Sequence, residues 1–132
     1  MTKRINVVGA VLTDGTKVLA AQRGEGMSLA GMWEFPGGKI EAGESPEEAL
    51  RRELKEELLC AAEIGAKVET TEYAYDFGTV VLTTYFGTII DKEPTLTEHS
   101  EVRWVEASEL PELNWAPADV PAVDRVVAHF SV

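Results

Sequence analysis

With 132 residues, 45% of them hydrophobic, the chain suits one globular domain (residues 1–132) with one sizeable core. Its formal net charge of −11, from 23 acidic against 12 basic residues, argues against a tight grip on a nucleic-acid polymer, whose phosphates must be neutralised by Lys and Arg. No apolar run approaches the roughly 20 residues that span a bilayer, and a single cysteine, Cys60, excludes an internal disulfide or a cysteine-based zinc site.

Met1-Thr2-Lys3-Arg4 leads into a strand-like stretch with no cleavage-site pattern, so a cytoplasmic protein without membrane attachment is expected. Ile5 to Leu12 and Val18 to Gln22 are apolar runs separated by Thr13-Asp14-Gly15-Thr16, whose Asp-Gly pair favours a tight hairpin turn. A Gly-rich loop follows (Gly24, Gly26, Gly31), then a short strand at Trp33-Glu34-Phe35, ended by Pro36-Gly37-Gly38. Ser45-Pro46-Glu47-Glu48 opens a helix, with Ser as N-cap, Pro at the first helical position and Glu48 at capping-box spacing. That helix is expected to run to about Leu59. Val68 to Asp76, Thr79 to Ile90 and Val102 to Val105 are strand-like, and Asp119 to about Phe130 closes the chain as a helix. The expected fold class is an α/β sandwich with a mixed sheet.

The segment Gly38 to Cys60 concentrates the chemistry. On a helical wheel Leu50, Leu54 and Leu58 form a core-facing stripe; Glu57 lies about 20° from Leu50 and Glu53 about 60° away. Glu56 sits further round the same flank, while Glu48, Arg51, Arg52 and Lys55 are expected on the water side. Carboxylates at this spacing repel one another, oppose the macrodipole at the helix C-terminus and lose hydration if buried. A divalent cation relieves all three conflicts, and carboxylate oxygen is the donor that Mg²⁺ and Mn²⁺ prefer. The competing interpretation is an ordinary charged face with Glu48–Arg52 and Arg52–Glu56 pairs.

The same segment resembles the Nudix box, in which a glycine and a glutamate precede Arg-Glu-apolar-X-Glu-Glu-X-Gly-apolar. Gly38, Glu44, Arg52, Glu53, Leu54, Glu56, Glu57 and Cys60 fill its positions, a chance match on the order of one in 10⁴. Leu59 stands where the family has glycine, a departure that bears on the helix end and not on the metal ligands. The resemblance implies a Nudix-type α/β/α sandwich and a Mg²⁺-dependent enzyme, with Mn²⁺ as a substitute. It implies that Glu53, Glu56 and Glu57 hold metal with the carbonyl of Gly37, that Arg52 orients the glutamates, and that Glu44 supports the loop.

Phe35-Pro36-Gly37-Gly38, Arg23, Glu98 and Pro117-Ala118-Asp119-Val120-Pro121 extend the likeness to MutT-type members. By that likeness Glu98 serves as base or further metal ligand, with Glu101 as substitute. The same likeness implies that Arg23, Glu34, Phe35, Pro36, Gly37 and Asp119 contact the nucleotide. Asp119 is also placed to cap the last helix. The implied activity releases nucleoside monophosphate and pyrophosphate from a small nucleotide, with (d)CTP, a 5-substituted dCTP and 8-oxo-dGTP on equal footing. ADP-ribose, dinucleoside polyphosphates or a non-catalytic nucleotide-binding domain are the alternatives.

Overall fold

The computed structural model describes residues 3–91, 93–95 and 101–131. Among these residues seven strands form one mixed sheet: β1 (Arg4–Asp14), β2 (Lys17–Gln22), β3 (Trp33–Glu34), β4 (Gly37–Lys39), β5 (Ala62–Tyr75), β6 (Gly78–Ile89) and β7 (Glu101–Glu106). Two helices, α1 (Pro46–Leu58) and α2 (Val120–Phe130), complete the α/β fold with short 3-10 turns at Ala107–Glu112 and Pro117–Asp119. No helix among the described residues is long and apolar enough to cross a membrane.

The long strand β1 organises the molecule. From Arg4 to Leu12 it runs parallel to β6, Val7, Val8 and Gly9 pair antiparallel with β4 on the other side, and its last two residues make the expected hairpin with β2. Val8, Ala10 and Leu12 point to the α1 side, joined by Leu19 of β2 and by Leu50, Leu54 and Leu58 of the helix. Val11, with Val18 and Ala20, points to the other side, against Val123 and Val126 of α2 and the aromatic pair Phe35 and Trp115. Helices therefore cover both faces, which is why β1 reads as a nearly continuous apolar run.

Helix α1 begins as its sequence specifies. The Ser45 hydroxyl accepts from the Glu48 amide at 3.1 Å, and the Glu48 carboxylate accepts from the Ser45 amide at 2.9 Å. Its end is less usual: Leu59 takes the left-handed conformation, φ 53° and ψ 36°, that the family's glycine would take without strain.

Three expectations are corrected. Strand β5 begins at Ala62 and not at Val68, because register shifts between Ile64 and Lys67 and between Lys67 and Glu69 hide the alternation of its first half. Gly37 and Gly38 do not merely end a strand; they form β4, opposite Gly9 and Val8 of β1. Asp119 does not cap α2: it has helical dihedrals and its side chain makes no cap hydrogen bond.

Candidate active site

A cavity of about 560 Å³ opens where β4, the C-terminal half of α1 and the segment before α2 converge. One end is acidic. Glu53 and Glu57 line it together with Gly37, Gly38, Lys39 and Glu41. Glu57 is buried, only 9% exposed, and accepts a hydrogen bond from the Gly37 amide at 3.2 Å. Burial pushes the Glu53 carboxyl above the usual range, opposed by its hydrogen bond from Arg52.

Arg52 turns toward this acidic end instead of the water side, correcting the wheel placement. Its guanidinium donates to both oxygens of Glu44 (2.7 and 3.0 Å), to Glu53 (2.9 Å), to Glu56 (3.3 Å) and to the Lys39 carbonyl (3.0 Å). Glu44 is held below its ordinary range chiefly by this arginine, and it also accepts from the Glu41 amide at 2.9 Å. Glu48, by contrast, is engaged in the capping box and makes no pair with Arg52. The guanidinium thus joins the loop before α1 to the glutamates on it.

Among the described residues no three carboxylates converge on a single point as a closed metal cage. Glu53 and Glu57 face the cavity, whereas the Glu56 side chain is 60% exposed and leans on Arg52. The donor set is nonetheless hard oxygen on one helix flank, with desolvated negative charge that a cation would compensate, and it fits a divalent ion that keeps several waters. Glu98 lies outside the described residues. Its substitute Glu101 is paired with Arg103 at 2.9 Å on β7.

The other end of the cavity is mixed. Arg23 forms an ion pair with Glu34 through Nη1, while its Nε and Nη2 donate to the carbonyl and hydroxyl of Ser28. Phe35 lines the cavity and packs on Trp115 with ring centroids 4.8 Å apart. Pro36 is fully buried, its carbonyl accepting from the Ala10 amide at 2.8 Å, and does not face the cavity.

Asp119 completes this end. Trp33 pairs with Trp115, and the Ala116 amide donates to the Trp33 carbonyl at 2.8 Å, stitching the segment before α2 to β3. Asp119 is thereby carried to Phe35, whose amide donates to Oδ1 at 3.1 Å. Only 6% exposed, its carboxyl is pushed up to about 8 by burial, then by the nearby Glu34 charge, against the Phe35 hydrogen bond and Arg23. Lys3, Met27, Leu29, Tyr75 and Phe77 also line the cavity, and the sequence reading missed all of them. A Phe within the turn between β5 and β6 was the signal available for one.

A NUDIX domain model matches residues 3–126. The chain is 41% identical over 120 residues to a Mycobacterium tuberculosis protein named putative 8-oxo-dGTP diphosphatase 2, covering 90% of this chain and 84% of that protein. It is 36% identical over 128 residues to the CTP pyrophosphohydrolase of Escherichia coli, covering 96% and 93% of the two chains. The solution structure of a Staphylococcus aureus MutT protein of the Nudix hydrolase family superposes with a TM-score of 0.81 at 53% identity, covering 98% of this chain and 99% of that one. With its box folded as one capped helix against a glycine strand, and relatives that match along nearly their whole length, this chain belongs to the Nudix family of hydrolases.

Proposed function

We propose that the chain, acting as one Nudix unit, is a Mg²⁺-dependent nucleoside triphosphate pyrophosphohydrolase that releases nucleoside monophosphate and pyrophosphate. Its proposed substrates are (d)CTP, a 5-substituted dCTP or 8-oxo-dGTP, in line with the names of its relatives. The observation that carries this reading is the polarity of the cavity, with Glu53 and Glu57 at one end and the buried carboxyl of Asp119 at the other. Phosphates held through a cation at the first end leave the base at the second.

Nudix hydrolases generally use divalent metal ions. Here Glu53, Glu56 and Glu57, with the Gly37 carbonyl, would hold the cation, and Glu56 would exchange its exposed contact with Arg52 for it. When bound, such an ion neutralises phosphate charge and acidifies water. Arg52 fixes the Glu53 carboxylate and the Glu44 loop, and Glu98 is assigned the proton from the attacking water. Arg23, held by Glu34, presents a prearranged cation to the nucleotide, and Phe35 gives the base an apolar wall backed by Trp115.

Turnover of a nucleotide panel with Mg²⁺, following pyrophosphate and orthophosphate separately, tests the reading. Pyrophosphate release that stops with excess chelator and returns with Mg²⁺ or Mn²⁺ is expected. Undiminished turnover in chelator, or orthophosphate as the sole product, would overturn it.

The two glycines of β4 give a paired prediction. A Cβ at Gly37 would sit 1.9 Å from the Val8 carbonyl oxygen, in backbone that cannot yield without breaking the β1–β4 pairing. Gly37→Ala is therefore expected to destabilise by about 3 kcal/mol or more. A Cβ at Gly38 would instead meet the Glu53 carboxyl carbon at 2.4 Å, the far end of a flexible side chain. Gly38→Ala should hardly move the melting temperature yet lower kcat by roughly 10²-fold, the cost of displacing a positioned group. Equal melting temperatures for the two variants would contradict the steric argument.

A further inference from the structure

Of the exposed large apolar side chains among the described residues, Leu59, Tyr73, Phe77, Ile90 and Val120, only Phe77 lines the active-site cavity. It occupies a two-residue turn with Asp76, between the paired residues Tyr75 and Gly78. Such turns favour Gly, Asn or Asp, whose backbone freedom or short polar side chains serve the turn itself. A phenylalanine there, 48% exposed, joins neither of the two buried hydrophobic clusters.

The turn is nevertheless held firmly. Gly78, with φ of 146°, has its Cβ position 2.9 Å from the Lys3 carbonyl, and the Thr79 amide donates to that same carbonyl at 2.7 Å. The Tyr75 hydroxyl accepts from the Ala118 amide at 2.9 Å, one residue before Asp119. The Phe77 ring lies parallel to the Tyr75 ring, with centroids 5.1 Å apart and 7° between planes. A stacked aromatic pair therefore runs from the Asp119 corner to the rim of the cavity, with Met27 and Leu29 among the other residues that line it.

We propose that Phe77 is a base-binding residue that covers the base of the bound nucleotide, with Tyr75 as its fixed support. This assignment rests on the cavity accepting a nucleoside triphosphate. An aromatic face tolerates any base, because every base has a π-face, so the contribution is to affinity for a base as such. Which base is preferred then falls to the polar groups deeper in the cavity. Phe77 stacks on Tyr75, which is hydrogen-bonded to Ala118 beside Asp119, so its loss should act on base binding and leave the phosphate site untouched.

The test is the Kd of dCMP, dGMP and pyrophosphate, each with Mg²⁺, measured by calorimetry on wild type, Phe77→Ala and Phe77→Trp, with melting temperatures alongside. Phe77→Ala is expected to weaken both nucleoside monophosphates roughly tenfold, within the range that removal of a stacking partner produces. Pyrophosphate affinity and melting temperature should stay unchanged, and Phe77→Trp should restore nucleotide binding. An unchanged nucleotide Kd in Phe77→Ala overturns the assignment, as does an equal weakening of pyrophosphate. Wild-type protein that binds pyrophosphate but neither nucleotide, and turns over no nucleoside triphosphate, overturns the proposed function as well.

Discussion

Glu57→Gln is expected to lower kcat by roughly 10²- to 10³-fold while leaving the fold intact, the scale of losing a principal electrostatic stabiliser. Glu57 is the most deeply buried carboxylate of the box, and glutamine preserves its shape and its acceptor for the Gly37 amide. What the substitution removes is the negative charge. That charge is unfavourable for the metal-free protein, since it lies near the C-terminus of α1, where the macrodipole opposes anions, and is largely withdrawn from water. The metal-free variant should therefore melt no lower than wild type. Mg²⁺ should raise the melting temperature of wild type, by preferential binding to the folded state, and raise that of Glu57→Gln much less. A fully active Glu57→Gln enzyme with an undiminished Mg²⁺ response would mean that α1 carries an ordinary charged face.

Asp119→Asn is expected to change the pH dependence of both stability and substrate choice. Its carboxyl faces Glu34 and Arg23 across the cavity end, with Tyr75 nearby, and holds its proton up to about pH 8. The unfolded chain releases that proton near the ordinary value of 3.8. The folded state thus binds the proton more tightly, so this contribution to stability is whole below about pH 4 and is lost as pH rises through about 8. Asparagine carries no such titration and keeps an acceptor for the Phe35 amide. The melting temperature of Asp119→Asn relative to wild type should therefore climb as pH rises from about 4 to about 9, reflecting on the order of a few kcal/mol. A constant difference would refute the buried, protonated carboxyl.

Recognition follows the same proton. From the sequence, Asp119 offers acceptors only; in its buried setting near neutral pH, one oxygen is bonded to Phe35 and the other carries a donor hydrogen. Asparagine resembles that protonated form, so the kcat/KM ratio of 8-oxo-dGTP to dCTP should change little near neutral pH. In wild type the ratio should shift as pH passes about 8, beyond any shift that the asparagine enzyme shows. Comparing the two enzymes cancels the titration of the bases themselves. Identical pH profiles would show that Asp119 reads no base.

Helix α1, its cap and its core-facing stripe were legible because every signal lies within one short segment: the capping box, the leucine stripe and the glutamate spacing each follow from helical geometry alone. Burial of Glu57 beside Leu50, Leu54 and Leu58 was legible for the same reason. The alternation of helices with strands, and the apolar runs in β1 and β2, likewise determined an α/β sandwich. Tertiary structure decided the rest. Arg52 leaves the water side because the loop before α1 brings Glu44 and the Lys39 carbonyl to it, a closure that no helical wheel contains. Gly37 and Gly38 become a strand only because β1 passes so close that a side chain at Gly37 would strike it. Asp119 reads locally as a cap, yet the pairing of Trp33 with Trp115 carries it to Phe35, 84 residues away in sequence. Local spacing determines what a segment becomes; which polar group is left facing which cavity depends on long-range pairings whose partners carry no mark of one another in the chain.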